Sequence, residues 1–396
     1  MLLLDPVSLA GALAPLGAAT MLPAEAYTSA DVLAWERRHL FAGTWSCVGR
    51  EDDLRGRATE DGASARLRTQ QAIRVGDIGV LLTWPGHATS TPADTLGDSG
   101  VRAFANTCRH RGHELLPEGD GTTRRSIVCP YHAWSYDLAG VPRATPGVEL
   151  PPGRAEELSL VELPVERWGG WLFVHAARAL GDPDVPPFDA HLGALAEIAS
   201  PYRTQELVRR ARHTYEVAAN WKAVTENYHE CYHCPLIHPE LCRVSPPDSG
   251  DNYDLPGMWA GGSMTLRDGA ETMSVSGRSG GRPLPGVDPV RVEYLGLFPD
   301  LLLSLHPDYV MTHRLVPLAP DRTWVECSWY FDDNGVTIDP SYAVEFWDIT
   351  NRQDWAACES VQRGLSSPHF RPGPFAPNED AVHRFVSMVA EAYLGS

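Results

Sequence analysis

The chain has 396 residues, 33 of them basic and 51 acidic, for a formal net charge of −18 at pH 7. So large an acidic excess argues against a nucleic acid or an anionic membrane surface as partner. The length allows two domains, and eight cysteines without a dense framework suit a reducing cytoplasm better than a disulfide scaffold.

The chain opens Met1-Leu2-Leu3-Leu4-Asp5-Pro6, apolar but broken at once by Asp and Pro, with no basic segment before it. No secretory signal is expected there, and Arg37-Arg38 lies too far in to serve as a twin-arginine signal. No run reaches the apolar length of a membrane span, so a soluble, cytoplasmic protein is the expectation. A helix is predicted over 28–41 with Ser29 as its cap. Apolar, β-rich runs follow at 79–84, 101–105, 126–129 and 171–174. Polar insertions at 55–70 and 87–100 read as surface loops, and the Asp- and Pro-rich stretch 181–187 reads as a linker. Beyond it, strand-like runs at 212–217, 301–306, 311–316 and 325–330 alternate with helical segments. That order predicts an α+β fold, an antiparallel sheet with helices on one side.

Between the early strands lie Cys108-Arg109-His110 and Cys129-Pro130-Tyr131-His132. Gly112 and Pro130 are turn formers that place each pair on a loop tip. Two thiolates with two imidazoles suit a [2Fe-2S] cluster of Rieske type, whose two histidines on one iron raise the potential above that of an all-cysteine cluster. Tetrahedral zinc takes the same ligands and spacing alone does not exclude it, but the first pair is C-x-H rather than C-x-x-C and the second half is not the H-x3-5-H of a zinc finger. His113 reads as a structural or supporting residue.

A second group lies in the run 220–239. His229-Glu230-Cys231-Tyr232-His233 matches the H-E-x-x-H string of zinc hydrolases, with Glu230 as base. The extended form fails, because Leu236 and Pro239 stand where Gly and the last His belong. The competing parse takes His233 and His238. Pro235 between them ends a helix near His233 and sets His238 just past the break. Two histidines need a carboxylate to complete the facial triad that binds Fe(II) and leaves positions open. The residues alone leave Asp348, Asp354 and Glu359 as candidates, on a helical segment that Asp339-Pro340 can start. Cys231 and Cys234 have redox-dithiol spacing but read as packing around the site.

Asn106-Thr107-Cys108-Arg109-His110-Arg111-Gly112 and Cys129-Pro130-Tyr131-His132-Ala133-Trp134-Ser135-Tyr136-Asp137 resemble the two cluster loops of Rieske non-haem iron oxygenases, a likeness that runs from about Leu22 to the C-terminus. The resemblance implies a small antiparallel β Rieske domain over 45–180 and a helix-grip catalytic domain over 181–396, with 1–44 packed on the latter. It implies a cluster on Cys108, His110, Cys129 and His132, and a mononuclear iron on His233, His238 and Asp354, upstream of Val361-Gln362-Arg363-Gly364. It implies that Glu230 bridges a cluster histidine and an iron histidine across a subunit boundary of a homotrimer, with Asn227 in the catalytic set.

Glu230 stands where ring-hydroxylating dioxygenases usually carry Asp. The strings Glu226-Asn227-Tyr228 and Glu230-Cys231-Tyr232-His233-Cys234-Pro235 are similar to the branch that oxidises choline, glycine betaine, carnitine and proline betaine. The expected function is a terminal oxygenase that hydroxylates or oxidatively N-demethylates a small quaternary ammonium compound, glycine betaine-like, with O2. The alternative is an aromatic-ring dioxygenase; an electron carrier with a vestigial second domain is a further class. No dinucleotide-binding glycine fingerprint follows a strand, so a separate NAD(P)H reductase is the expected partner. Trp259, Tyr294, Phe298 and Tyr309 are candidates to hold the cation by its attraction to aromatic faces. Each has ordinary core packing as its competing role. Met264 and Met273 are weaker candidates for the same pocket.

Overall fold

The computed structural model describes residues 4–56, 67–85, 100–149, 151, 153–333 and 338–395. Most of the two polar insertions lies outside them. The chain forms two compact units, Glu36–Phe188, and Met1–Trp35 with Asp189–Ser396. Their mixed helix and antiparallel sheet is the predicted α+β class. Among the described residues no helix is long and apolar enough to cross a membrane.

The described residues of Glu36–Phe188 form three small antiparallel sheets. Strand Ile78–Thr83 pairs with Gln70–Val75 on one side and Arg102–Ala105 on the other. Because side chains alternate along a strand, it serves two cores. Val80 and Leu82 pack with Val48, Leu172 and Val174. Leu81, between them, packs with Phe104, Trp134, Tyr136 and the two cysteines Cys108 and Cys129. The cluster loops are thus anchored on a core of their own.

The Asp- and Pro-rich stretch is less free than a linker would be. Trp45 Nε1 donates to the Pro186 carbonyl at 2.9 Å, and the Trp45 and Phe173 rings flank Phe188 at 5.3 and 5.0 Å. At the other end, Ser46 Oγ donates to the Phe41 carbonyl and the Ala177 amide to that of Ala42. These contacts draw residues 36–44 and 181–188 into the unit.

The second unit is built on a seven-stranded antiparallel sheet in the spatial order 208–217, 322–331, 309–319, 301–305, 291–297, 259–265, 251–252. Helices Trp221–Tyr228, Ser341–Leu365 and Asp380–Leu394 pack with it. The predicted helix over 28–41 is divided: Ala24–Thr28, then Ala30–Glu36, then a wider turn over Arg37–Phe41. Ser29 is extended at the break, and its Oγ accepts from the Val32 amide at 3.4 Å. Asn220 ties the site's first helix to this segment: its Oδ1 caps the helix at Lys222 N, and its Nδ2 donates to the carbonyls of Tyr27 and Pro320.

Tyr27 also donates its hydroxyl to Glu226 at 2.7 Å. Burial pushes the Glu226 carboxyl up to about 7 from 4.5, despite that bond and the Lys222 charge. A raised carboxyl favours folding while protonated, so its contribution is lost as pH climbs from 4.5 through about 7. Glu226→Gln should therefore gain on the parent over that window, by on the order of 3 kcal/mol at pH 8. Urea midpoints at pH 4.5 and pH 8 check this, and a gap that does not grow with pH would refute it.

Candidate metal centres

In the Glu36–Phe188 unit two hairpin-like loops carry the cysteine and histidine pairs. Thr107 bridges to Glu114, the Cys108 amide donates to the His113 carbonyl, and Asn106 Oδ1 accepts from the amides of Leu115 and Leu116. In the second loop Val128 pairs with Ser135 and the Cys129 amide donates to the Trp134 carbonyl at 2.8 Å. Ala133, next to His132, has φ 58, in the left-handed region that costs a non-glycine residue roughly 1 kcal/mol or more. Its amide bond to the Cys129 carbonyl holds it there.

Cys108 and Cys129 are buried free thiols. Burial, and then the neighbouring Cys108 sulfur, push the Cys129 thiol up. Tyr136 Oη accepts from the Arg109 amide at 3.0 Å and shares a hydrogen bond with Cys108 Sγ at 3.4 Å. The His110 and His132 rings lie 4.7 Å apart, and His110 stacks on Trp134. His110 Nδ1 is buried without a partner. Paired thiols, paired imidazoles and an orphaned ring nitrogen fit a two-cysteine, two-histidine cluster.

In the second unit the helix Trp221–Tyr228 stops at Tyr228, earlier than Pro235 alone would require. His233 caps a new short helix, Cys234–Ile237, with Pro235 in its first turn, where a missing amide proton costs nothing. Residues 229–233 therefore lack the helical turn that H-E-x-x-H needs. His229 is buried against Tyr228 and Phe385, and a Cβ on Gly296 would lie 2.5 Å from its ring. The zinc-hydrolase reading is corrected accordingly.

His233 and His238 do converge. Their Nε2 atoms are 3.0 Å apart, and Asp354 Oδ1 lies 2.8 Å from that of His238 and 3.3 Å from that of His233. The outer nitrogens are engaged: His238 Nδ1 with Gln353 Oε1 at 2.7 Å, and His233 Nδ1 with Glu230 Oε1. Since a carboxylate and an amide oxygen only accept, both Nδ1 atoms donate, and both Nε2 atoms present lone pairs. Three acceptors facing one point without a donor fit a cation. Burial alone would lower His233, but with no cation present Asp354 and Glu230 outweigh it and hold the ring at about 9, so that a proton occupies the Nε2 position a metal would take. Asp354 stays below the usual carboxylate range against its burial, through the same two imidazoles.

Asp354 sits on Ser341–Leu365, whose start Asp339 Oδ1 supports by accepting from the Ser341 amide. The other two acids are committed elsewhere: Asp348 to Tyr215 and Arg352, Glu359 to the Ala218 amide. Glu230 Oε2 accepts from the amides of Tyr232 and His233, so the carboxylate that orients His233 is itself fixed. Cys231 and Cys234, expected as plain packing, are joined by a disulfide. With Cys234 so engaged, the Asp354 oxygen is the third metal ligand beside the two imidazoles.

A cavity of about 450 Å³ opens on these three side chains and includes Asn227. Of the aromatic candidates, Tyr294 lines it, with a buried, unpartnered hydroxyl. The other three are core. Trp259 donates to the Pro256 carbonyl, Phe298 packs on Trp221 and Phe385, and Tyr309 bonds the Met273 carbonyl and Trp347. Met264 lines the cavity and Met273 does not. Sequence reasoning misses Trp347 and Trp355, which line it from the long helix together with Thr350 and Asn351. For Trp347, Thr350 and Asn351 the signal is helical spacing: once Asp354 is placed, residues three, four and seven before it share its face.

Comparison with known proteins follows the same division. Residues 44–153 match the family model for the Rieske [2Fe-2S] domain, and 204–395 that for the ring hydroxylating alpha subunit catalytic domain. The chain is 28% identical over 416 residues to the glycine betaine monooxygenase oxygenase subunit of Chromohalobacter salexigens, covering 94% of this chain and 86% of that one. It is also 28% identical to the carnitine monooxygenase oxygenase subunit of Escherichia coli K12, covering 88% and 85%. Its fold matches a quaternary ammonium Rieske monooxygenase structure at a TM-score of 0.73 and 23% identity, over 98% and 99% of the two chains.

Removal of one ligand from the three-acceptor site should abolish iron binding there and leave the other centre alone. Asp354→Ala is expected to retain under about a tenth of the mononuclear iron, by metal analysis after the cluster's share is subtracted. The reduced [2Fe-2S] EPR signal should be unchanged; full iron retention would remove Asp354 from the site.

Proposed function

The chain belongs to the Rieske non-haem iron oxygenases, and from that premise we propose that it is the terminal oxygenase of a system that oxidises an N-methyl group of a quaternary ammonium compound. The observation that carries this is the wall of Tyr228, Tyr294, Trp347 and Trp355 in the cavity that holds His233, His238 and Asp354. Aromatic faces attract a desolvated cation by roughly 2 kcal/mol, and such cages suit quaternary ammonium groups. The names carried by the glycine betaine and carnitine relatives agree with this reading.

Cys108, His110, Cys129 and His132 would hold the cluster, and His233, His238 and Asp354 the iron. When bound, the first supplies single electrons and the second the activation of dioxygen. The protein's own part is placement. Glu230 and Gln353 fix the tautomers of the two histidines, so that both Nε2 lone pairs face inward. The aromatic wall turns the substrate's methyl groups toward them and excludes water. Hydroxylation of an N-methyl carbon, with two electrons, two protons and one dioxygen, gives a carbinol and water; the carbinol releases formaldehyde and a proton and leaves a tertiary amine.

Glu230 keeps one lone pair, on Oε1, beyond the bonds it makes within the chain, enough to accept from an imidazole N–H of a neighbouring subunit's cluster. This supports a homotrimer with electrons crossing between subunits, a transfer also named for the structural match. A separate NAD(P)H reductase would supply them.

The test is holoenzyme with a reductase and a panel of methylammonium compounds. Oxygen uptake should match formaldehyde release one to one for at least one of them. Trp355→Leu should raise KM for that compound about tenfold with kcat changed less than threefold. Oxidation of naphthalene-like rings with no formaldehyde from any methylammonium compound would overturn the reading.

A further inference from the structure

The charge inventory of the cavity narrows the substrate further, on the quaternary-ammonium reading just given. Among its described lining residues are five carboxylates, Glu230, Asp248, Asp251, Asp354 and Asp380, and no lysine or arginine. Glu230 and Asp354 are committed to the inner histidines. The other three lie toward solvent. Asp251 is on the edge strand Asp251–Asn252, and Asp380 opens the C-terminal helix and accepts from Asn252 Nδ2 at 2.5 Å. Asp248 and Asp251 are exposed, and none of the three forms an ion pair among the described residues.

A zwitterionic betaine must turn its methyl groups toward His233, His238 and Asp354. Its carboxylate would then meet three uncompensated carboxylates at the rim, with no guanidinium or ammonium to receive it. Turned the other way, it would carry its methyl groups away from His233, His238 and Asp354, where the reaction takes place. Like charges set against one another in this way discriminate against a ligand more strongly than a missing contact does.

A second, independent feature asks for a hydrogen-bond donor. His313 lines the cavity and is 3% exposed. Its Nε2 lies 3.1 Å from Asn351 Oδ1, and Asn351 Nδ2 is turned to Cys327 Sγ at 3.5 Å. The amide oxygen accepts, so His313 Nε2 carries the proton and Nδ1 is a bare lone pair. That Nδ1 is buried with no partner. It accepts a hydroxyl or an N–H; a carboxylate, which only accepts, leaves it unsatisfied.

We propose that the substrate of this chain carries no carboxylate: it is a methylated ammonium compound whose other polar group is a hydroxyl or a second ammonium. This departs from the glycine betaine-like substrate expected from the sequence. Asp251 and Asp380 are its specificity-determining residues at the rim, and His313 is the acceptor inside.

Equilibrium titration of the holoenzyme, followed by tryptophan fluorescence at low salt, tests it with choline, (2-aminoethyl)trimethylammonium, glycine betaine and carnitine. The first two should bind at least tenfold more tightly than the last two. Asp251→Asn with Asp380→Asn should shrink that ratio to threefold or less. If the double variant does not fold, Asp251→Asn alone, at an exposed position, should at least halve it. Glycine betaine or carnitine binding as tightly as choline, or a ratio that the variants leave unmoved, overturns the proposal and leaves the quaternary-ammonium reading standing. Failure of all four to bind sinks that reading, and the proposal with it.

Discussion

Three acceptors that face one another without a donor are unstable unless a cation sits among them, and much of the second unit exists to hold His233, His238 and Asp354 in that arrangement. The cost is met at a distance. Glu230 and Gln353 take the outer protons of the two rings, backbone amides hold Glu230, and a 25-residue helix carries Asp354 and Gln353 side by side. Adjacent residues on a helix point about 100° apart. Asp354 can therefore face the cavity while Gln353 reaches His238 from its flank, which makes ligand and support a single helical element.

The break at residues 229–233 is the second requirement. A continuous helix through His233 would put His229 and His233 on one face and send His238 around the axis; ending it at Tyr228 releases His233 to meet His238. The break also separates two histidines with opposite fates. His233 is held at about 9 between two carboxylates, whereas His229, with burial acting alone, falls to about 3. The pair looks equivalent as a string, and only the backbone distinguishes them.

This is also where legibility in the sequence stops and why. The strands are readable from apolar runs, and the cysteine and histidine pairs from spacing, because both are local patterns. The two loops sit at strand ends and carry the expected residues. Asp354 is different: residues alone leave it level with Asp348 and Glu359, since the choice depends on which helix face meets the histidines. The aromatic wall is misread for the same reason. Trp259, Phe298 and Tyr309 lie on or beside strands whose neighbours cover them completely, and nothing in their local sequence reports that. Trp347 and Trp355 become visible only after the ligand sets the helix register. Phe188 and Pro186 pack on Trp45, a contact across most of the unit's length that an Asp- and Pro-rich composition conceals.

Net charge shows the same limit in another form. An excess of acids over the whole chain says little about a small ligand, because most surface charge is solvated and screened within about 10 Å at ordinary ionic strength. What matters to a ligand is which charges line its cavity, and there the excess is complete: five carboxylates and, among the described lining residues, no basic side chain outside histidine. An iron ion would offset Asp354, and His233 shares the charge of Glu230. The rim acids have no such partner. A bound ligand must supply the missing charge or avoid adding to it, so the selectivity of the cavity follows from what its rim lacks as much as from the rings that line it.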